Sequence, residues 1–331
     1  MNNKKLRILF DASMLVHGFN DPRSRGGIYF VARNILDILS KRSDIELALI
    51  SNVCDVVALS RFRSVEYPEL KLYREPTKND KRYIAIVDSL KKIRNQYSNL
   101  SLLRKGLYVF IRLLEKIHPI LHKYTFEQFA HEKWVYFSPN SPASAAMRKA
   151  GLQDFVILHD LIPYKLNEYK NFRNMGWFKK IIASLNKNDT YFAVSQATKN
   201  DLNLFKDRLD VKKVNVVPLA ASEKFKRCAD ENDLVKIQEK YGLPRKKFVF
   251  SLCSLEPRKN LLRAVSCFIS FVEKHKINDL IFVLGGIAGT KIAENLKQEL
   301  KGLDASIILP IGFVDDDDVP VFYSNAEWFV Y

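Results

Sequence analysis

Short apolar runs alternate with helix-periodic stretches along most of the chain. Lys5 to Phe10 is an apolar run typical of a buried strand, and apolar residues from Ile28 to Ser40 recur at helical spacing. Strands that alternate with helices form a mostly parallel sheet covered by helices, so this part of the chain is predicted as an α/β domain. Its further predicted strands are Glu46 to Ile50, Trp134 to Phe137, Phe155 to Leu158, Thr190 to Val194 and Val214 to Val217.

The same alternation restarts after a polar segment near residue 225. We expect residues 1–225 to form the N-terminal domain, 226–244 a linker region and 245–331 a second domain of the same type. No loop or helix follows the last predicted strand, and parallel strands are normally buried on both faces, so we expect the second domain to be incomplete and the chain truncated. Its predicted strands are Phe248 to Leu252, Leu280 to Leu284, Ser306 to Leu309 and Glu327 to Tyr331, and its predicted helices are Asn260 to Lys274, Lys291 to Leu303 and Asp317 to Asn325.

Composition narrows the class of protein. Of 331 residues, 47% are hydrophobic and 27% charged, which excludes a disordered, collagen-like or small disulfide-bonded protein. The four cysteines have no C-x-x-C spacing, so we expect neither a zinc site nor a disulfide framework, and a reducing cytosol fits best. The longest late apolar stretch, Leu280 to Ala288, is about half of the roughly 20 residues that a membrane span needs. We therefore expect a cytoplasmic protein that does not cross a membrane.

The net charge of +16 is concentrated in one segment. Lys78 to Lys123 contains eleven basic and three acidic residues, a net charge of +8. A basic amphipathic helix is predicted there, with an apolar face of Leu100, Leu103, Leu107, Phe110, Ile111, Leu114 and Ile117, and a basic face of Arg104, Lys105, Arg112 and Lys116. Three interpretations stay open: a surface helix packed on its own domain, peripheral docking on the anionic inner face of the cell membrane, and nucleic-acid binding. Because the segment lacks a nucleic-acid recognition motif, we expect no nucleic-acid partner.

Two loops in the first domain contain residues suited to ligand binding. Ligands of open parallel sheets bind at the carboxyl ends of the strands, where both loops are predicted to lie. Gly26 and Gly27 precede a helix, and paired glycines let backbone N–H groups approach an anion closely. His159 directly follows a predicted strand, where its imidazole can donate a hydrogen bond to a substrate hydroxyl.

A third loop, Ser254 to Asn260, has the chemistry of a phosphate site. Arg258 and Lys259 lie where the next helix is predicted to begin. Two cations at a helix N-terminus are unfavourable, because the helix dipole is already positive there. A bound anion removes this conflict, so the pair is predicted to hold a diphosphate.

Together these segments resemble glycosyltransferase family 4, a family of GT-B glycosyltransferases. The resemblance covers nearly all of the chain outside the basic segment. It is carried by the Gly-Gly-Ile-Tyr loop, by HDLIPY from His159, YFAVSQATKNDL from Tyr191, VVPLA from Val216 and LEPRKNLLRAVSCF from Leu255, and by GFVDDDDVPVFYSNAEWFVY at the end. It implies a GT-B fold, in which two Rossmann-like domains face each other across a cleft, the second being incomplete here.

The resemblance also implies a role for each candidate residue. Arg258 and Lys259 would hold the diphosphate of a nucleotide-sugar donor and stabilise the departing nucleoside diphosphate. His159 would contact the transferred sugar near its reacting centre. No metal ion or other cofactor is implied, because positive side chains and helix ends neutralise the diphosphate. The donor site would be completed by Gly26, Gly27, Ser254 and Glu256.

The function implied is a retaining glycosyltransferase in surface polysaccharide biosynthesis. It would move a hexose, with mannose from GDP-mannose as the first expectation, to a glycan or lipid-linked acceptor. The paired-glutamate motif of the family would follow the strand at which this sequence stops, so we expect the chain by itself to be inactive or nearly so. The alternative is a non-catalytic, glycosyltransferase-like binding or scaffold protein that docks to a membrane or a partner enzyme.

Other candidate sites are weaker. His118 and His122 share a helix face, but Pro119 lies between them and no third ligand is near, so we expect no zinc site. The sequence contains neither a P-loop nor a G-x-G-x-x-G motif. The aspartates from Asp315 to Asp318 are expected to cap a helix rather than to bind calcium, and Ser195 is expected to be a helix N-cap rather than a nucleophile.

Overall fold

The computed structural model describes residues 5–51, 55–96, 101–121, 126–166, 175–228, 230–253, 259–286 and 306–331. The chain forms two compact units, Met1–Ala220 and Ala221–Tyr331. Each unit has its own parallel sheet and its own buried apolar core. The predicted α/β class is therefore confirmed.

The first unit is built on a sheet of parallel strands. In the described part of the chain they are β1 (Leu6–Asp11), β2 (Ile45–Ile50), β3 (Lys71–Leu72), β4 (Val135–Ser138), β5 (Gln153–Leu158), β6 (Thr190–Ala193) and β7 (Asn215–Val216). They lie in the order β3-β2-β1-β4-β5-β6-β7. The chain thus runs outward from β1 on one side and from β4 on the other. The carboxyl ends of β1 and β4 form the switch point at which such sheets bind ligands.

Helices connect these strands. They are α1 (Ser13–Asn20), α2 (Gly27–Ser40), α3 (Val56–Glu66), α4 (Lys78–Gln96), α5 (Ser101–Leu121), α6 (Glu127–His131), α7 (Ala145–Lys149), α8 (Ile162–Lys165), α9 (Met175–Ser184) and α10 (Gln196–Asp201). Ser195 is the N-cap of α10, as predicted, because its Oγ accepts a hydrogen bond from the backbone N of Thr198 at 3.1 Å. α1 lies in a region that the sequence predicted as a loop. The helix is short, but it buries Leu15 and Val16 completely.

Neighbouring residues of the central strands enter separate apolar clusters on the two faces of the sheet. Phe10 and Leu49 belong to one cluster, and Leu9 and Ile50 belong to the other. None of the four side chains is more than 2% exposed. Burial on both faces explains why these strands are continuous apolar runs in the sequence instead of alternating ones.

The second unit has a smaller parallel sheet. Its described elements are α11 (Glu231–Tyr241), β8 (Lys247–Leu252), α12 (Leu261–His275), β9 (Leu280–Gly285), β10 (Ile308–Gly312), α13 (Val319–Asn325) and β11 (Trp328–Phe329). The strands lie in the order β10-β9-β8-β11. The helix predicted at Lys291 to Leu303 lies outside the described residues.

Residues 226–244, predicted as a linker region, contain α11 and pack in the second unit. Ile237 is 2% exposed and Leu243 is 8% exposed, and both belong to the apolar cluster that contains Phe250 and Phe322. Gly242 ends α11 in a left-handed conformation with φ of 67°. The buried side chains make this segment part of the second unit's core, which the polar sequence around it concealed.

Two of the aspartates predicted to cap a helix make ion pairs instead. Lys240 Nζ lies 2.5 Å from Asp315 Oδ2 and 2.6 Å from Asp318 Oδ2. The hydroxyl of Tyr241 donates a hydrogen bond to Asp318 Oδ2 at 2.7 Å. Asp318 holds the N-cap position of α13, but its side chain makes no capping hydrogen bond. The prediction of side-chain capping is therefore wrong for Asp318, whose carboxylate joins α11 to the start of α13.

The basic segment forms two packed helices, α4 and α5, where the sequence predicted one. Of the predicted apolar face of α5, Ile111 is 2% exposed, whereas Leu103 and Phe110 are exposed. The face is thus only partly covered. None of the helices in the described ranges is long and apolar enough to cross a membrane.

Candidate functional site

The carboxylate of Asp11, the last residue of β1, lies buried at the switch point of the first sheet. Its Oδ1 accepts hydrogen bonds from the backbone N and the Oγ of Ser13, at 2.9 and 2.5 Å. Its Oδ2 accepts one from the hydroxyl of Tyr136 at 2.6 Å and lies 3.5 Å from the Oγ of Ser138. The carboxylate thus joins the ends of β1 and β4, with donors at both oxygens, as a buried charge requires.

The hydroxyl of Tyr136 is a permanent donor in this network. Burial raises the pKa of Tyr136 well above its ordinary value, and the nearby charge of Asp11 raises it further. The network reaches a third strand, because Ser13 Oγ lies 3.0 Å from the Oγ of Ser51, the residue after β2. Polar groups at the ends of three neighbouring strands are therefore held together by one buried carboxylate.

A cavity of about 160 Å³ lies beside this network. α1 forms one wall and the loop after β4 forms another. Met14 and Pro139 supply apolar surface, while the other lining side chains supply carboxylate, hydroxyl, amide and imidazole groups. Most of the surface that the cavity exposes is apolar, because Asp11, Ser13 and Ser138 are buried and direct their polar atoms into the network described above. The cavity therefore suits a small ligand that packs an apolar face against its walls. The lining residues are Asp11, Ser13, Met14, His17, Ser138, Pro139, Asn140 and Ser141.

His159, which directly follows β5, is tied to a wall of this cavity. Its Nε2 lies 2.7 Å from the carbonyl oxygen of Pro139. A carbonyl only accepts hydrogen bonds, so Nε2 carries the proton and Nδ1 of the neutral ring is an acceptor. Burial lowers the pKa of His159, which the hydrogen bond to Pro139 and the charge of Asp160 only partly oppose. The imidazole of His159 is therefore neutral. The backbone carbonyl of the same residue accepts a hydrogen bond from Thr198 Oγ1 at 2.8 Å.

Gly26 and Gly27 lie at the start of α2, as predicted. Gly26 is the N-cap and has extended backbone, with φ of −127° and ψ of −173°. A Cβ on either glycine would meet no heavy atom of the described residues within 4 Å, so the space beside the loop is open. Arg25 ties the loop to α1, because its Nε donates a hydrogen bond to the carbonyl oxygen of Gly18 at 3.0 Å. Gly26 has no side chain that could cap the first-turn N–H groups of α2. These groups can therefore donate hydrogen bonds to an anion.

Gly286 allows the carboxyl ends of β8 and β9 to come close together in the second unit. Its φ is 155°, and a Cβ at this position would lie 1.9 Å from the carbonyl oxygen of Cys253. Its backbone N donates a hydrogen bond to the carbonyl oxygen of Gly312 at 2.7 Å, and the N of Cys253 donates one to the carbonyl oxygen of Gly285 at 3.1 Å. These contacts hold together the ends of three strands, directly before residues 254–258.

Of the third predicted loop, the structure describes Lys259 and Asn260. Ser254, Glu256 and Arg258 lie outside the described residues. Lys259 Nζ lies 3.7 Å from the centroid of the Tyr331 ring. Asn260 is the N-cap of α12 in a left-handed conformation, and its side chain makes no capping hydrogen bond. Lys259 is thus placed at the N-terminus of α12, and its contact with a diphosphate stays a prediction.

Replacing Asp11 by asparagine is expected to lower the free energy of unfolding by about 1–3 kcal/mol. The amide keeps the size of the side chain but removes the charge that strengthens its hydrogen bonds from Ser13 and Tyr136. Urea unfolding of both proteins measures the loss. Asp207→Asn is the control, since Asp207 is exposed. Equal stability of the Asp11 and Asp207 variants would contradict the assigned role of the buried carboxylate.

Sequence comparison relates this chain to sugar transferases. No model of a known protein family matches it. Over 182 residues it is 26% identical to a serotype-specific mannosyltransferase WbdA of Escherichia coli, and the match covers 53% of this chain and 22% of that protein. A further WbdA of Escherichia coli is 25% identical over 182 residues, with the same coverage. The matched segment therefore spans less than a quarter of the length of these curated relatives.

Solved structures with a similar backbone identify the architecture. HepE of Anabaena in complex with UDP has a TM-score of 0.53 and 13% identity, and the likeness covers 98% of this chain and 73% of that one. Its complex with UDP and glucose has a TM-score of 0.54 at the same identity and coverage. The chain has the GT-B fold. At this identity the likeness establishes the fold alone, and the predicted fold class is confirmed.

Within this GT-B fold, two parts of the candidate site are not evident from the sequence pattern. Asp11 was not among the predicted site residues, although a carboxylate that ends a buried strand signals a polar network. Gly286 was not predicted either, although the glycine pair Gly285 and Gly286 at the end of a buried strand signals a close backbone approach. The site residues that the sequence did predict in the first unit, Gly26, Gly27 and His159, all flank loops of the first sheet.

Proposed function

We propose that this chain belongs to a retaining glycosyltransferase of the family 4 type, which moves a hexose, mannose in the first instance, from a nucleotide-diphospho-sugar to a glycan or lipid-linked acceptor. Its process would be the biosynthesis of a surface polysaccharide. The observation that carries the proposal is the similarity to the mannosyltransferase WbdA over 182 residues. The GT-B fold is compatible with it, since the related HepE structures contain UDP and glucose.

In this proposal the second unit binds the donor. Arg258 and Lys259 would pair with the diphosphate at the N-terminus of α12, with backbone N–H groups and charged side chains sharing the negative charge. Ser254 and Glu256 would complete this side of the donor site, and Gly26 and Gly27 would approach the same phosphates from the first unit. The role of this set is electrostatic, because stabilising the departing nucleoside diphosphate lowers the barrier to transfer.

The first unit would bind the sugars. The apolar face of a sugar ring would pack against the mainly apolar cavity beside Asp11, and Asn140 and Ser141, among its lining residues, would supply polar contacts. His159 contacts Pro139 of its wall through Nε2, and its Nδ1 would accept a hydrogen bond from a sugar hydroxyl. A neutral imidazole is suited to this role, since the lowered pKa keeps the ring unprotonated at neutral pH. In the retaining mechanism proposed, the leaving phosphate takes the proton of the acceptor, so no side chain acts as general base.

Nucleotide binding by the purified chain tests the donor assignment. Isothermal titration with GDP and with UDP should show binding of one or both, and the double variant Arg258→Ala/Lys259→Ala should weaken it at least tenfold, since each charge-assisted hydrogen bond contributes about 1.5 kcal/mol or more. Arg245→Ala/Lys246→Ala is the matched control, because it removes the same charge from exposed positions of the same unit.

The outcomes separate the parts of the proposal. The donor site is supported if Arg258→Ala/Lys259→Ala weakens nucleotide binding and Arg245→Ala/Lys246→Ala leaves it unchanged. Nucleotide binding that neither double variant alters would overturn the assignment of Arg258 and Lys259. Tighter binding of UDP than of GDP would overturn GDP-mannose as the donor. An absence of any nucleotide binding would favour the scaffold alternative.

A further inference from the structure

The described part of α5 has three distinct sides. One side packs inward through Leu107, Ile111 and Leu114, and Ile111 is 2% exposed. These three positions are spaced four and three residues apart, so they form one narrow line along the helix. The rest of the helix surface is exposed over the range in which side chains are described, residues 102–114. α5 therefore attaches to its unit by less than half of its circumference.

A second side of α5 is an exposed apolar stripe. We name it the α5 stripe and define it as Leu102, Leu103, Val109, Phe110 and Leu113. Their exposed fractions are 84%, 45%, 56%, 51% and 50%. The residues recur at intervals of three and four around Gly106, which places them on one flank of the helix. Single exposed apolar residues are common, but a continuous stripe of this kind marks an interaction surface.

The third side of α5 is basic. Arg104, Lys105 and Arg112 are exposed. Lys105 and Arg112 lie beside the α5 stripe, four and three residues from Val109, whereas Arg104 lies on the far side of the helix. Tyr108 lies among them, with Arg112 at 5.4 Å from its ring centroid. The neighbouring helix α4 adds the exposed cations Lys81, Arg82 and Lys92. Apolar and basic surface are thus combined on one exposed helix of a segment whose net charge is +8.

We propose that α5 docks in the plane of an anionic bilayer. The α5 stripe enters the boundary between head groups and acyl chains, while the cations of α5 and α4 contact lipid phosphates. Charge complementarity favours this occupant, because a net charge of +8 attracts an anionic surface and repels a second copy of the same segment. A nucleic acid would use the cations but would leave the apolar stripe in water.

Docking would place the chain where a lipid-linked acceptor is held, a consequence that rests on the proposed function. The docking itself does not rest on it, since it involves neither the cavity beside Asp11 nor the donor loop. A binding assay without sugars or nucleotides therefore separates the two. Failure of vesicle binding would leave the transferase proposal intact, and failure of nucleotide binding would leave the docking proposal intact.

Vesicle cosedimentation of the full chain tests the proposal. Vesicles of phosphatidylcholine alone are compared with vesicles that also contain phosphatidylglycerol. We expect binding to the anionic vesicles that is at least tenfold stronger and that weakens with added salt. Phe110→Ser/Leu113→Ser should lower this binding at least tenfold by removing apolar contact. Lys105→Gln/Arg112→Gln should lower it at least fivefold and remove part of its salt dependence.

Matched controls and alternative occupants complete the test. Ile38→Ser/Val65→Ser removes two equally exposed apolar side chains, at 63% and 62%, from α2 and α3, and should leave binding unchanged. Circular dichroism verifies that each variant is folded. The proposal is overturned if the α5 variants bind anionic vesicles as well as the parent chain does. It is also overturned if the parent chain forms a dimer that Phe110→Ser/Leu113→Ser dissociates, because a second copy would then cover the stripe.

Discussion

Replacing Arg148 by alanine is expected to lower the free energy of unfolding by about 3–5 kcal/mol. Arg148, on α7, lies between two buried carboxylates of the first unit, with Nη2 at 3.2 Å from Asp154 Oδ2 and 2.7 Å from Asp189 Oδ2. Its Nη1 donates a further hydrogen bond to the carbonyl oxygen of Ser184 at 2.5 Å. Without the guanidinium, two carboxylates that are at most 7% exposed remain together without a counter-charge.

The loss should depend on pH. Burial raises the pKa of Asp154 to about 6, the charge of Asp189 raises it too, and Arg148 opposes both. A carboxyl whose pKa is higher in the folded state than in the unfolded state stabilises the fold while protonated and loses this contribution as pH rises through the folded pKa. Removing Arg148 raises the folded pKa further. The variant should therefore be most destabilised near pH 7 and least below pH 4.

Urea unfolding at several pH values measures this effect. Arg42→Ala is the matched control, because Arg42 makes its ion pair with Asp44 at an exposed position and its loss should change stability little. If the Arg148 variant were as stable as the Arg42 variant at neutral pH, the buried pair would contribute nothing. A loss that is constant from pH 4 to 7 would contradict the assigned role of the Asp154 carboxyl.

Replacing Gly286 by alanine is expected to lower the free energy of unfolding of the second unit by about 3–4 kcal/mol. The new Cβ would lie 1.9 Å from the carbonyl oxygen of Cys253, a backbone atom that cannot move by side-chain rotation. The φ of 155° is also unfavourable for a residue with a Cβ. The ends of β8 and β9 must separate to accommodate the methyl group.

Hydrogen exchange by mass spectrometry locates this effect. Peptides from β8 and β9 should lose protection in the Gly286 variant, whereas peptides from β1 and β2 should keep it. Gly176→Ala is the matched control, because a Cβ there meets no atom of the described residues within 4 Å and the position lies in α9. The control should raise stability by up to about 1 kcal/mol. If β8 kept its protection in the Gly286 variant, the nearby carbonyl oxygen of Cys253 would not restrict position 286 to glycine.

Most strands could be predicted from the sequence, because strands buried on both faces are continuous apolar runs. β1, β2 and β8 were placed to within a residue or two of their observed bounds. β3 was missed because its two residues, Lys71 and Leu72, are too few to form a run. α1 was missed because its eight residues cover little more than two turns, too few for a clear helical period.

The sequence predicted only those residues of the candidate site that have a recognisable local position, directly after a strand or directly before a helix. His159 was found because it directly follows a strongly apolar strand, and Gly26 and Gly27 because paired glycines before a helix have a known geometry. Asp11 was not found, because its significance comes from Tyr136, which is 125 residues away in the chain. A local pattern contains no information about a partner at that distance.

The sequence by itself determined the α/β class, the division into two sheet-containing parts and the strand-end position of the candidate residue His159. These properties follow from periodicity and burial within windows of ten to twenty residues. Only the tertiary structure decided that a buried carboxylate joins β1 to β4, that Gly286 is required where β8 meets β9, and that Leu103 and Phe110 of the predicted apolar face of α5 are exposed. Each of these depends on which distant residues are neighbours, and that is set by the packing of whole elements rather than by the order of side chains along one of them.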